Sequence, residues 1–555
     1  MHAQQQDWHQ ENTEKVDPAA DGWPSEALHD AAKEQLKHLF EYTCHAGELP
    51  DHLFAVDFSG TKLQAAETVT AYQQQDFTVI DGVNINQLPS LASEVWLKDC
   101  IWEGQFFNDF FKIVSVDLDS DKFFGTEVMM HGPYGEAPFL SQLNLEFYAT
   151  WHYPADADDL PLLRSIKLER YQLISTAKPL FSDVSAAIFS NVPRYRQELL
   201  HGVDKYINKN DRIIRSSLIG SQGIALGDVN GDGLDDIYLA QQGGLANRLF
   251  IHQVNGSVIE TAAQAGVDFL DNTRGVLLCD FDNDGDQDLA AAVGANILIA
   301  YNDGNGIFSK RVVLRMNNAS DIYSMTAGDP DNDGDLDIYA CRYVLGGIMG
   351  GAPSPYHDAD NGASNFLWRN DGNQEWTESA AAVGLDENNS KFSMAAVWHD
   401  LDGDGDLDLY VSNDFGRNNL YVNDGTGHFS DQAIALEADD IGAAMGISVA
   451  DYDSDGDSDL LVTNMFSSAG RRIAAQSDRF MQGSSQEVHK DYVRHARGNT
   501  LLAFDDGKFI DKTESSRMTV GGWGWGASFI DFNNDGYADI YSPNGFVTSA
   551  KSQDL

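Results

Sequence analysis

Positive charge is what this chain has least of. In 555 residues, Lys and Arg number 36 against 86 Asp and Glu, a formal net charge of −50. Nucleic-acid binding rests on cationic contacts to phosphate, and anionic membranes attract basic segments, so the balance argues against both partners. Cysteine is also scarce. Cys44, Cys100, Cys279 and Cys341 contain no CxxC pair and are too few for a disulfide scaffold, so neither a zinc site nor a cross-linked framework is expected. Cys279 and Cys341 fall in apolar strand-like segments and read as buried thiols. No apolar run approaches the ~20 residues of a membrane helix. The opening MHAQQQDWHQ lacks the pattern of an export signal. The length allows two or more domains, and a hydrophobic fraction of 42% suits ordinary globular cores.

The acids are concentrated. Asp400–Asp408 reads DLDGDGDLD, with aspartates at alternate positions and Gly405 sixth. Carboxylates this dense repel one another unless a cation sits among them, and a hard divalent ion with six to eight oxygen ligands, calcium above all, is the natural occupant. The glycine permits the sharp turn. The loop occurs six times, holding 27 of the 86 acidic residues, so about a third of the acid lies in six short turns.

Positions 1, 3, 5, 7 and 9 give the expected metal ligands. They are Asp228, Asn230, Asp232, Leu234 and Asp236 in the first loop and Asp280, Asp282, Asp284, Asp286 and Asp288 in the second. The third supplies Asp329, Asp331, Asp333, Asp335 and Asp337, and the fourth Asp400, Asp402, Asp404, Asp406 and Asp408. The fifth supplies Asp451, Asp453, Asp455, Asp457 and Asp459, and the sixth Asp531, Asn533, Asp535, Tyr537 and Asp539. Leu234 and Tyr537 are tolerated at position 7 if that residue contributes only its backbone carbonyl. These are not EF-hands, which need a bidentate Glu at position 12 and a following helix. Position 12 here is Leu239, Ala291, Ala340, Val411, Val462 or Ser542, inside strand-like segments such as DIYLA and DLYVS.

The loops begin at 228, 280, 329, 400, 451 and 531, a period near 50 broken by two insertions at about 342–364 and 466–498. Several short strands per unit at that period predict a mainly β chain whose residues 215–555 form a β-propeller with six countable repeats and six or seven blades. Five residues before each loop stands a small residue: Gly223, Gly275, Ser324, Ala395, Gly446 or Gly526. That is expected where inner strands crowd together. The last unit stops after its second strand, so its outer strands are expected from the N-terminal side of the repeats or are lost.

Before the repeats, residues 1–22 read as an unpatterned lead and 23–182 as an α+β domain. Ser25 is placed to cap a helix from Glu26 to His45, and strands are expected at Phe110–Asp117, Lys122–His131, Leu143–Tyr153 and Ser165–Ile174. Long antiparallel strands after an early helix resemble a nuclear-transport-factor-like cone. Residues 183–214 read as a helical connector, with a second helix over Arg194–Tyr206.

The six loops and their flanks, clearest in GIALGDVNGDGLDDIYLA and GASFIDFNNDGYADIYSPNG, resemble FG-GAP/VCBS repeats, the calcium-binding blades of integrin-alpha-like propellers. Within that class, HARGNTLLAFDDGKFIDKT and the WGWG before the last loop are similar to bacterial cartilage-acidic-protein-like proteins. The resemblance implies an adhesion, ligand-binding or scaffold role, with about six structural calcium ions. Calcium loops of this kind suit millimolar calcium, so an extracytoplasmic location is expected.

In an up-and-down blade both insertions fall on the face opposite the calcium loops, and long loops on a rigid scaffold are where function concentrates. The insertion 466–498 is basic. Arg471, Arg472, Arg494 and Arg497 are the candidate face for an anionic glycan or protein ligand, set against the alternative that they pair with the protein's own carboxylates. Trp523 and Trp525 are candidates for stacking on sugar rings or for packing between blades. A second function class remains, a propeller-based polysaccharide lyase or hydrolase. It would need acid and base residues converging near His357, His489 or His495, which form no constellation in the sequence.

Overall fold

A computed structural model describes residues 23–45, 49, 52–74, 76–100, 110–118, 122–135, 140–154, 156, 159–193, 195–200, 222–316, 322–343, 352–477 and 479–543. The lead at 1–22 and most of the expected helix Arg194–Tyr206 lie outside these residues. The chain divides into two compact units. One is Met1–Ser182 with Ser468–Gly483; the other is Asp183–Ser467 with Ser484–Leu555.

The first unit is built on one seven-stranded sheet and a long helix. Its strands are β1 (Phe54–Gly60), β2 (Glu67–Gln74), β3 (Phe77–Val83), β4 (Phe110–Asp117), β5 (Phe123–Tyr134), β6 (Ser141–His152) and β7 (Leu162–Thr176). They run in the order β2-β3-β7-β6-β5-β4, and β1 joins β7 in parallel. β6 shows why the sheet has a buried face. Leu143, Leu145, Phe147, Ala149 and Trp151 alternate with more exposed residues, and period two sends them all to one side. The helix Pro24–His45 lays Ala32, Leu36, Leu39 and Phe40 into the same core, the Phe40 ring 6.2 Å from that of Phe147.

That helix starts two residues before Glu26, and Ser25 is not its cap. The Trp23 carbonyl accepts the first amide bonds, from Glu26 and Ala27, with Pro24 in the first turn. Pro suits that place because its missing N–H would have no helical partner. Ser25 is buried, and its hydroxyl accepts a hydrogen bond from Gln476 at 2.7 Å.

In the second unit the strands fall into repeated sheets. The first holds β8–β11 (Ile224–Gly227, Asp236–Leu239, Arg248–His252, Val258–Glu260). The second holds β12–β15 (Thr273–Cys279, Asp288–Val293, Asn296–Tyr301, Lys310–Arg315). The third holds β16–β19 (Ile322–Gly328, Asp337–Arg342, Phe366–Asn370, Trp376–Glu378). The fourth, β20–β23 (Phe392–His399, Asp408–Arg417, Asn419–Asn423, Phe429–Asp431), and the fifth, β24–β27 (Ile441–Ala450, Asp459–Asn464, Thr500–Asp505, Lys508–Asp511), are joined by pairing of β21 with β24. Among the described residues the sixth has two strands, β28 (Ser528–Ile530) and β29 (Asp539–Tyr541). Its outer strands do not come from the N-terminal side among the described residues, because the first sheet uses all of β8–β11 itself.

The first strands of successive sheets pack side by side in chain order, β8 to β12 to β16 to β20 to β24 to β28. The small residues sit at these approaches. A Cβ on Gly223 would meet the Arg274 carbonyl at 2.6 Å, and one on Gly446 would meet the Gly526 Cα at 2.9 Å. Each acidic loop joins strand one of a sheet to strand two.

Candidate metal centres

All six loops carry one hydrogen-bond scaffold. The position-1 aspartate accepts from the position-6 glycine amide through Oδ2, at 2.7 Å for Asp228, 3.0 Å for Asp280 and Asp400, 2.9 Å for Asp329 and Asp531, and 3.1 Å for Asp451. The position-5 aspartate accepts from the position-7 amide in every loop, including the two where position 7 is Leu234 or Tyr537. The turn is therefore set by positions 1, 5 and 6, and the side chain at position 7 is free to vary. In the second, third and fourth loops it is an aspartate lying beside the turn after strand three. A Cβ on Gly304 would meet Asp286 Oδ2 at 2.5 Å, and one on Gly425 would meet Asp406 Oδ2 at 2.8 Å.

In four loops three carboxylates converge, one oxygen from each lying within 4.8 Å of the others: Asp280, Asp282 and Asp288; Asp329, Asp331 and Asp333; Asp400, Asp402 and Asp404; Asp451, Asp453 and Asp459. Such trios of oxygen donors can hold a metal ion, and hard oxygen sets suit calcium. The first and sixth loops have asparagine at position 3, Asn230 and Asn533, and so bring one carboxylate fewer to the cluster.

Position 9 has a second task. Asp236, Asp288, Asp337, Asp408 and Asp459 are all buried. One oxygen of each accepts an amide of its own sheet's third strand: His252, Asn302, Asn370, Asn423 or Phe504, at 2.7–3.0 Å. The other accepts the position-2 amide of Val229, Phe281, Leu401 or Tyr452. In the third loop position 2 is Pro330, which has no N–H to give. Burial pushes these carboxyls up, Asp459 to about 6, Asp288 and Asp408 to about 7, and Asp337, the one without that amide donor, to about 8. A cation among them supplies the opposite charge that favours the ionised form.

A further motif ties neighbouring sheets. The asparagine at or just past the end of strand three donates to the position-2 carbonyl of an earlier loop: Asn302 to Val229 at 2.7 Å, Asn370 to Phe281 at 2.8 Å and Asn423 to Pro330 at 2.9 Å. The repetition of asparagine in front of Asp-Gly was the available signal.

The four arginines named as a candidate ligand face are drawn toward the protein's own carboxylates. Arg471 and Arg472 lie on the helix Ser468–Ala474 of the first unit, Arg494 and Arg497 in the second. Arg472 is buried and makes a two-pronged ion pair with Glu26, at 2.9 and 2.6 Å, and also donates to the Ile113 carbonyl. Arg471 lies in electrostatic range of Glu127. Arg497 pairs with Asp511 at 2.7 Å, and Arg494 and Arg497 flank the buried Asp440 at 3.6 and 3.9 Å. Desolvation drives this: a guanidinium drawn out of water needs a carboxylate partner. Trp525 packs at the edge of an apolar cluster of Met394, Ala443 and Met445. His489 and His495 share the helix Gln486–His495, and the His357 ring stands 5.1 Å from that of Tyr492.

Residues 228–291, 280–340 and 400–462 match the model of the FG-GAP-like repeat. The chain carries FG-GAP-like repeats. They take in the first five loops; the sixth, with Asn533 and Tyr537, lies outside the matched segments. Over 202 residues the chain is 28% identical to cartilage acidic protein 1 of Mus musculus, covering 36% of this chain and 29% of that protein. Over 264 residues it is 28% identical to cartilage acidic protein 1 of Xenopus tropicalis, covering 44% and 40%. The match thus spans less than half the length of these relatives. Among solved structures, an Agrocybe aegerita lectin specific for non-reducing terminal N-acetylglucosamine aligns with a TM-score of 0.35 at 15% identity, over 58% of this chain and 74% of the lectin. No helix among the described residues is long and apolar enough to cross a membrane.

Proposed function

We propose that the second unit is a calcium-braced β-propeller and that the protein is an extracytoplasmic binding, adhesion or scaffold module. The observation that carries this reading is the common scaffold of the six acidic loops, four of which draw three carboxylates together. Calcium is structural in this reading. The trios that begin at Asp280, Asp329, Asp400 and Asp451 hold it, and in two of them position 9, Asp288 or Asp459, serves both the ion and the link to strand three. The side-by-side first strands, crowded at Gly223, Gly275 and Gly446, support a radial arrangement of the sheets. The loops suit a compartment where calcium is millimolar. For the first unit, a sheet backed by one long helix supports the nuclear-transport-factor-like reading.

A metal count and a thermal melt with calcium or excess EDTA test the proposal. The expected count is about six ions, those of the Asn230 and Asn533 loops leaving first as free calcium falls. EDTA is expected to lower the melting temperature by more than about 10 °C, since each site lost removes binding free energy from the folded state. A calcium-free protein with an unchanged melt overturns the reading.

A further inference from the structure

The two insertions meet in the second unit, and what they build is aromatic, not cationic. Tyr356, from the first insertion, stacks on Tyr492 from the second, with ring planes 8° apart and centroids 6.3 Å apart. It also stands edge-on to Phe415 at 5.0 Å. Phe415 holds φ at +62°, a left-handed conformation that a bulky side chain rarely adopts. The insertion fixes it there, because the Ala359 amide donates to the Phe415 carbonyl at 2.6 Å. Strain of this kind concentrates at sites of function.

Beside this platform lie buried polar atoms without partners. Asp414 is 3% exposed; its Oδ2 accepts from the Tyr343 hydroxyl at 2.6 Å, and its Oδ1 has no hydrogen bond among the described residues. His495 is 9% exposed, with its ring against Phe415 and Tyr356 and its Nε2 likewise unpaired. His357 Nδ1 is a third such atom. Buried groups of this kind cost stability unless something completes them. The surrounding cations are not available to an acidic ligand. Arg417 is committed to Asp358, Asp439 and Asp491, and Lys391 to Asp358. Burial also pushes the His495 imidazole down to about 4, so it is neutral, and the Asp414 carboxyl up to about 7, which draws it toward its neutral form.

We propose that Tyr356, Phe415 and Tyr492, with Asp414, His495 and His357, form a binding site for a neutral saccharide. The sugar's apolar face stacks on the exposed Tyr356 ring, and its hydroxyls complete the unpaired carboxyl and imidazole atoms. Aromatic faces supply a large rigid contact, and the polar groups fix orientation. The proposal names a ligand for the binding-module reading, but it rests on the insertion residues and not on calcium.

The test is titration of the full-length, calcium-loaded protein with glucose, galactose, mannose, fucose and N-acetylglucosamine, and with glucuronic acid as the acidic control. At least one neutral sugar is expected to bind, and Tyr356→Ala to weaken it tenfold or more without changing the melt, because Tyr356 is half exposed. Asp414→Asn, which keeps the side chain's shape, is expected to weaken it at least fivefold. Binding by none of the neutral sugars, binding by glucuronic acid alone, or equal binding in both variants overturns the proposal. The calcium count stays independent of these outcomes: a calcium-free protein that still binds sugar sinks the metal reading and leaves this one standing.

Discussion

Asp402 and Asp408 are nine-residue-loop neighbours of the same chemical type, yet they do different work. Asp402 belongs to the converging trio and accepts one amide, from Asp404 at 3.2 Å. Asp408 is wholly buried and holds the Leu401 and Asn423 amides, both at 2.9 Å. Removing it strands two buried N–H groups, each worth about 1–3 kcal/mol. Asp408→Ala is therefore expected to cost about 3 kcal/mol even in EDTA. Asp402→Ala should melt like the parent in EDTA and fall below it only when calcium is present. Equal losses in EDTA would mean that position 9 is no brace. The alternation of the loop was legible in the sequence, and so was the glycine that makes it turn. The brace was not, because it depends on an amide 15 residues later that only strand pairing brings within reach.

At the scale of elements, the strands were the readable part. Of the four strands expected before the repeats, Phe110–Asp117 has the bounds that apolar patterning gives. Their neighbours β1, β2 and β3 escaped notice, for a physical reason: β2 is exposed along nearly its whole length and so carries no buried-face alternation. The partners of the basic insertion were hidden for a related reason. Composition reports charge but not partners, and Glu26 lies 446 residues from Arg472. The asparagines at or just past the end of strand three belong here too. Asn370 reaches the Phe281 carbonyl 89 residues earlier and also gives its amide to Asp337. Asn370→Ala keeps the amide but abandons the carbonyl, and is expected to lower stability by about 2 kcal/mol in urea unfolding. Glu375→Ala in the following exposed turn should stay within about 0.5 kcal/mol of the parent. A loss no larger for Asn370 than for Glu375 would remove the tie between sheets from the account.

The whole molecule must fold against a charge of −50, much of it gathered in loops that touch one another. Asn283 of the second loop donates to Asp335 of the third at 2.7 Å, and His399 beside the fourth lies 2.8 Å from Ser458 of the fifth. Repulsion therefore acts at two ranges. Within a trio the oxygens are inside 4.8 Å, closer than the Debye length of about 8 Å at 0.15 M salt, so dissolved ions cannot come between them. Between loops the distances are longer, and repulsion that reaches about 30 Å at 0.01 M is cut back to that same 8 Å as salt is added. A bound divalent ion answers the first range and free salt only the second. In EDTA, raising sodium chloride from 10 to 150 mM should lift the melting temperature part of the way toward the calcium-loaded value and then stall. In calcium the same change should move it by a smaller amount, because the ion already offsets most of each trio's charge. Full recovery by sodium chloride alone would make calcium one screening ion among others, and the loops would then be acidic turns without a specific guest.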